Sequence, residues 1–227
     1  MPYLQEMMLD VWREACRHIE ISESTARIAP ILRRHMPVAE VLVRLINPTR
    51  SSLETVAAGF AEAEHELSGA HTNCSYEMMS RLLDWHGHGD IIHRKGSESA
   101  PLSSVVPPDV EGDVIIGPLC NRPDLRGLLL FAAYEGDEFT DEHIGMMRML
   151  LEPFSVALEN DHRLREIVAL REASEADKQS LLKRMGRKSL NDTIIGADSG
   201  LANVMHSVDL VADSDAPVLI LGETGAG

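Results

Sequence analysis

Residues 39–59 read AEVLVRLINPTRSSLETVAAG. Two runs, 41–46 and 53–58, are rich in Val, Leu, Ile and Thr and flank Asn47-Pro48-Thr49-Arg50-Ser51. Aliphatic and β-branched residues favour extended backbone, and Asn, Pro and Ser supply turn chemistry, so the stretch predicts a β-hairpin. Strands joined this closely pair antiparallel, since a parallel return needs a long crossover.

Outward from the hairpin, helical spacing takes over. Leu4, Met7, Met8, Val11, Ala15 and Ile19 share one face of a first helix. A second, with Ser22 or Ser24 as cap, runs through Ile28, Ile31 and Leu32 and stops at Pro37. Beyond the hairpin, 75–85 predicts a helix with Met78, Met79, Leu82 and Leu83 on one side, broken by HGHG at 86–89. A Ser- and Pro-rich stretch, 96–108, leads to two further strands, 113–119 and 127–134, joined by NRPDLRG. Thr140 is the expected N-cap of a long helix, with Asp141 and Glu142 suiting its positive end. Its apolar positions include Ile144, Met147, Leu151, Phe154, Leu158, Leu164, Ile167 and Leu170, reaching towards Leu181, Leu182 and Met185, with Gly186 as the expected end. Its second half is charged with a sparse apolar stripe, which reads as an exposed helix or a short parallel coiled coil. The order of helices and hairpins predicts an α+β class: an antiparallel sheet with flanking helices.

The chain has 227 residues, a formal net charge of −15 and 44% hydrophobic residues. That sustains a core, and the acidity excludes a nucleic-acid footprint within this region. Cys16, Cys74 and Cys120 are odd in number and form no CxxC pattern, as expected in a reducing, cytoplasmic setting. No stretch is apolar for long enough to span a bilayer, so no membrane partner is expected.

The last residues read APVLILGETGAG. An apolar run, Val218-Leu219-Ile220-Leu221, predicts a buried strand entering Gly222, Glu223, Thr224, Gly225, Ala226 and Gly227. Those six match the start of G-x-x-x-x-G-K-[ST], in which glycines let backbone N–H groups turn around a phosphate. The lysine and the magnesium-binding hydroxyl lie beyond the match, so no useful ATP binding is expected of this stretch alone. Residues 194–227, IIGADSGLANVMHSVDLVADSDAPVLILGETGAG, resemble the opening of the AAA+ domain of bacterial sigma-54-dependent transcriptional activators. The resemblance rests on Ile195-Gly196, Ser214-Asp215, Pro217-Val218-Leu219-Ile220 and Gly222 to Gly227, and departs at Ala226, where the family usually has Thr.

That resemblance implies an intact protein that uses ATP and Mg2+ to remodel the sigma-54 RNA polymerase holoenzyme. Enhancer DNA would be bound through parts absent from this chain. It also implies a regulatory region ahead of the ATPase. A phosphoacceptor receiver is excluded, since the chain opens with helices. The element order instead resembles a GAF domain. The expected organisation is a GAF-like sensory domain at 1–160, a signalling helix at 161–190 and the truncated beginning of an α/β AAA+ ATPase domain at 191–227. A homodimer is expected through the helix, and a higher oligomer in the intact protein. The region itself is expected not to be an enzyme: no nucleophile elbow, HExxH or complete cofactor loop is present. A stand-alone enzyme and a dimerisation module without ligand are the competing readings.

In GAF domains the ligand lies between the sheet and the elements that cover one face. Residues 69–94, GAHTNCSYEMMSRLLDWHGHGDIIHR, fall there and are dense in His, Cys and Arg. Two uses are open for a small-molecule or ion effector. His71, Cys74, His86, His88 and His93 are metal-capable, with the glycines of HGHG able to direct His86 and His88 at one ion, or else are surface histidines of a covering segment. Arg81, Arg94 and Lys95 could pair with a small anion. Methionines 78, 79, 146, 147 and 149 read as core at helical spacing, and Cys120 as a buried small side chain.

Overall fold

In the computed structural model the described residues are 2–60, 71–95, 105–108, 110, 112–120, 122, 125–193, 195–196, 198–214, 217–219 and 221–222. The elements are α1 (Pro2–Arg17), α2 (Ile21–Arg33), β1 (Val38–Asn47), β2 (Ser52–Phe60), β3 (His71–Asn73), α3 (Tyr76–His88), β4 (Ile92–Arg94), β5 (Val114–Leu119), β6 (Gly127–Ala133), α4 (Asp141–Thr193) and α5 (Ala202–Val211). They divide into two compact units, Met1–Ile167 and Val168–Gly227.

The first unit is built on one antiparallel sheet in the order β3-β2-β1-β6-β5-β4. The quoted hairpin is β1–β2, closed by Asn47 opposite Ser52, with Arg50 N donating to Asn47 Oδ1 at 3.0 Å. The register shifts between Val43, opposite Ala57, and Arg44, opposite Thr55, which leaves Val56 as the extra residue of a bulge in β2. β6 is buried along its whole length, so it reads as a continuous apolar run (GLLLFAA) rather than an alternation. The edge strands β3 and β4, three residues each, were not foreseen; so short a run carries no period.

Side chains divide between the two faces. On one, α1, α2 and the start of α4 close over Val41, Val43, Ala57, Ile115, Leu129 and Phe131. Met7, Val11 and Ala15 are buried there as their spacing predicts, but Ile19 lies in the α1–α2 connection and is exposed. α2 buries Ile21, Ser24, Thr25, Ile28, Ala29 and Leu32, and comes so close to β2 that a Cβ on Gly59 would lie 2.4 Å from Thr25 O. Neither expected serine caps α2. The cap position is Glu20, without a side-chain cap bond, and buried Ser24 instead donates to Glu20 O at 3.3 Å. A hydroxyl already inside the helix back-bonds to the preceding turn. The missing acceptor comes from α4: Ile21 N donates to Asp161 Oδ1 at 3.2 Å.

α4 begins at Asp141, directly after Thr140, whose carbonyl accepts from Ile144 N at 3.0 Å. Thr140 N in turn donates to His143 Nδ1 at 3.1 Å. The imidazole therefore takes the reciprocal part that Glu or Gln plays in a capping box. Phe154, Ala157 and Leu158 are buried, whereas residues 165–183 are exposed. The helix passes Gly186 and continues to Thr193; one interior glycine costs only ~1 kcal/mol relative to Ala, too little to end it.

The second unit holds the remainder of α4, and α5, whose apolar residues Val204, Val208 and Val211 are exposed. The expected terminal strand is corrected: residues 217–219 and 221 lie in no strand, and Leu219 and Leu221 are more than 80% exposed. Propensity alone does not make a strand; its N–H and C=O groups need a ladder, and none pairs with this run among the described residues. Gly222 is described and lies in no regular element, whereas Glu223, Thr224, Gly225, Ala226 and Gly227 lie outside the described residues.

Candidate functional site

The second face of the sheet is a separate apolar layer. Leu42, Ile46, Leu53, Leu128, Leu130, Ala132, Val114 and Ile116 rise from the strands, and Met79 and Leu82 of α3 descend on them. Val105, Val106 and Val110, from the connection between β4 and β5, complete the cover. α3 is fixed by Ser75, whose Oγ accepts from Met78 N at 3.2 Å, and ended by Gly89 at φ 79°, a left-handed position suited to glycine.

Within this layer stands Arg44, 0% exposed. Leu42 and Ile46, two residues to either side of it on β1, belong to the same layer. Its Nη1 donates to Val105 O and its Nη2 to Thr72 Oγ1 at 2.8 Å. A guanidinium stays charged at any working pH, so a permanent positive charge lies under the cover. Arg94 reaches the same cover from the β4 edge, its Nη2 donating to Val110 O at 3.4 Å. Its Nε is buried and makes no hydrogen bond among the described residues, and neither does the buried indole Nε1 of Trp85, which packs on this layer. Burial raises the pKa of the Cys74 thiol, against the lowering pull of Arg44.

The metal-capable residues are dispersed. α3 runs on through HGHG to His88, so no glycine loop gathers His86 and His88. His86 is 2% exposed, and its Nε2 lies 3.0 Å from both Leu119 O and Gly127 O; two carbonyls can only accept, so Nε2 carries the proton and donates. Burial lowers its pKa, outweighing these two bonds. His88 is exposed, its Nδ1 donating to Asp84 O at 2.7 Å, and that bond, with the Asp84 charge, raises its pKa. His71 is exposed on β3, 3.2 Å from Asn73 Oδ1. His93 Nε2 meets both carboxylate oxygens of buried Asp113 at 2.9 Å. Among the described residues no group of three His, Cys, Asp or Glu side chains is placed to hold one metal ion. A five-residue ligand set is thus not assembled, because a helix through residue 88 turns neighbouring histidines to different sides.

The expected anion set is likewise divided. Arg81 is exposed on α3, and Lys95 is exposed and paired with Glu138 at 3.6 Å; only Arg94 reaches the covered face. The sequence pattern does not single out Arg44, Thr72 or Trp85. The available signal was an arginine inside VLVRLI, where its neighbours at i±2 are core residues. Of the methionines read as core, Met79 lies in the covered layer with Met78 against it, Met146 and Met147 lie on the opposite face, and Met149 is exposed. Burial pushes the Cys120 thiol up to about 11, so it is no thiolate nucleophile.

No family model matches the chain. The formate hydrogenlyase transcriptional activator FhlA of Escherichia coli is 32% identical over 223 residues, 92% of this chain and 31% of that protein. The anaerobic nitric oxide reductase transcription regulator NorR of Serratia proteamaculans is 30% identical over 226 residues, 90% of this chain and 43% of that protein. The chain thus spans less than half the length of these relatives. The GAF domain of an Acinetobacter phosphoenolpyruvate-protein phosphotransferase superposes with a TM-score of 0.51 at 10% identity, covering 70% of this chain and 94% of that one. The homologues of this chain are sigma-54-dependent transcriptional activators. Its sheet and flanking helices form a GAF fold.

Within this GAF fold the face under α3, residues 105–108 and Val110 holds the buried guanidinium of Arg44. Asp113 links that face to the exit helix. While holding His93 beside Arg94, its Oδ2 accepts from Phe139 N at 2.6 Å, two residues before α4 begins. Among the described residues no helix is long and apolar enough to cross a membrane.

Proposed function

We propose that this chain is the ligand-sensing regulatory region of a sigma-54-dependent transcriptional regulator. In the intact protein it controls ATP-driven remodelling of the RNA polymerase holoenzyme, in the cytoplasm. The observation that carries the reading is homology over nine-tenths of the chain to activators of this kind, together with a GAF fold whose covered face holds a buried guanidinium. Residues 1–160 act as the sensor, 161–190 as the signalling helix, and 191–227 lead into the AAA+ ATPase. There Gly222, Glu223, Thr224, Gly225, Ala226 and Gly227 begin the phosphate loop. The region performs no chemistry itself; ATP and Mg2+ act in the ATPase that it regulates, and enhancer DNA is bound by other parts of the intact protein.

The test compares the intact protein with a form lacking residues 1–160, by ATP hydrolysis in vitro and by a sigma-54-dependent reporter in cells. Removal of the sensor is expected to abolish the response to growth conditions, leaving the reporter either permanently on or permanently off. A reporter that responds unchanged after the deletion would overturn the regulatory role.

A further inference from the structure

We infer that the turn end of the β5–β6 hairpin is a joint that couples the covering helix α3 to the exit helix α4, with His86 and Ser155 as its positioning residues. The coupling itself follows from contacts within the first unit; its use in signalling rests on the sensing role proposed above. Leu119 and Gly127 face each other as the last pair of the β5–β6 ladder. From one face of the sheet, His86 Nε2 of α3 donates to both of their carbonyls at 3.0 Å. Its Nδ1 is buried and makes no hydrogen bond among the described residues, so these carbonyls are its whole polar hold there. From the other face α4 holds the same turn. Cys120 N donates to Ser155 Oγ and Cys120 Sγ to Ser155 O, both at 3.3 Å. Cys120 stands at φ 49°, a left-handed backbone that a residue with a Cβ disfavours, and these bonds hold it there.

The packing on the α4 side is close. A Cβ on Gly127 would lie 2.6 Å from Leu158 Cδ2, and one on Gly117 would lie 2.6 Å from Leu151 Cδ2. Leu151, Ser155 and Leu158 share one face of α4 by their spacing. The hairpin end is therefore gripped from both sides. His86 is 2% exposed, and a buried donor that parts from its acceptors is left unsatisfied, so His86 and the turn move together. Leu151 and Leu158 meet backbone with no side chain between, and close-packed groups transmit displacement rather than absorb it. A shift in the last turn of α3 thus reaches α4 through the main chain of Leu119, Cys120 and Gly127. It arrives at Ser155 and Leu158, just ahead of the residues proposed as the signalling helix.

Urea unfolding of the full chain measures the coupling in a double-mutant cycle of His86→Leu and Ser155→Ala, which lie on opposite faces of the sheet. The unfolding constant of the double variant should depart from the product of the two single effects by about threefold or more. Met79→Ala, about two turns away on α3, should combine with Ser155→Ala within about twofold of that product. His86→Gln, whose amide N–H groups can donate to both carbonyls, should restore the coupling. Coupling is reciprocal, so hydrogen exchange gives a second reading from the milder variant. Ser155→Ala should speed exchange at 83–88 of α3 by about fivefold or more beyond what its loss of global stability accounts for. If His86→Leu does not fold, that reading decides alone. Exchange at 83–88 that merely follows global stability overturns the joint, and so does a cycle in which the two changes multiply within about twofold. In the intact protein, a reporter response unchanged by Ser155→Ala overturns the use in signalling while the joint stands. Failure of the sensing role is seen separately, as regulation that persists without residues 1–160.

Discussion

Replacing Asp161 by Ala removes the acceptor that α4 lends to the start of α2. Asp161 is 4% exposed and receives Ile21 N at 3.2 Å, while Arg165 Nε lies 2.8 Å from its other oxygen. Glu20 makes no cap bond of its own, so no local side chain substitutes. Loss of a cap costs about 1 kcal/mol, and Ile21, fully buried, leaves its N–H without water, which brings the total to roughly 2–3 kcal/mol. Asp161→Asn keeps an oxygen acceptor and loses the charge facing the helix dipole, about 0.3–1 kcal/mol, together with the exposed ion pair to Arg165, worth under about 1 kcal/mol. Arg165→Ala removes a 63%-exposed partner and should cost under about 1 kcal/mol. In a domain of this size 1 kcal/mol moves the melting temperature by about 2–4 °C, so the Ala variant should melt about 4–12 °C lower and the Asn variant less. Differential scanning calorimetry of the three variants checks the order. An Asp161→Ala protein within about 0.5 kcal/mol of wild type would refute the cross-helix cap.

Gly59→Ala should destabilise by about 1–3 kcal/mol in urea unfolding, because its Cβ would press on the backbone oxygen of Thr25 and on Ala29 Cβ at 2.9 Å; an unchanged midpoint contradicts the close approach of α2 to β2. His86, held neutral by burial, binds its proton more weakly folded than unfolded, so its stabilisation is present above its ordinary pKa of 6.5 and is lost as pH falls below it. The fall in melting temperature between about pH 7.5 and 5.5 should therefore shrink in His86→Gln, which keeps a donor for Leu119 and Gly127; an equal fall in both proteins removes His86 as the cause. The exposed stripe of Ile167, Val168, Leu170, Leu181 and Leu182 on α4 should pair two copies, giving twice the monomer mass by light scattering; a monomer at high micromolar concentration rejects the seam.

Both hairpins were legible because each strand carries enough aliphatic residues to declare itself, and α1 and α2 because their buried positions repeat at helical spacing. What failed to show was anything set by distant parts of the chain. The cap of α2 comes from a residue 140 positions away. The strand expected over 218–221 had the right composition, but 218, 219 and 221 find no ladder among the described residues. The histidines crowd in sequence, yet each is held elsewhere: His86 by two strand carbonyls, His93 by Asp113, His88 by its own helix. Arg44 was hidden for the opposite reason. An arginine in a strand reads as a solvent-facing residue, and only the sheet's register and cover show that this one faces inward.

The buried ionic groups of the first unit are placed where elements meet. Asp161 joins α4 to α2, Arg44 joins the sheet centre to the covering segment, and Asp113 joins the edge strand to the residues before α4. An apolar contact tolerates sliding, because dispersion has little direction. A charge-assisted hydrogen bond does not, and a buried one resists breaking because the stranded charge is costly. The helix that leaves the GAF fold is therefore held by directional bonds at both ends of its packed portion, at Phe139 and at Asp161. His93, next to Arg94 on β4, is bonded to Asp113, and Asp113 receives the Phe139 amide. Under the proposed sensing role, a movement of β4 would reach the start of α4 through these bonds of Asp113.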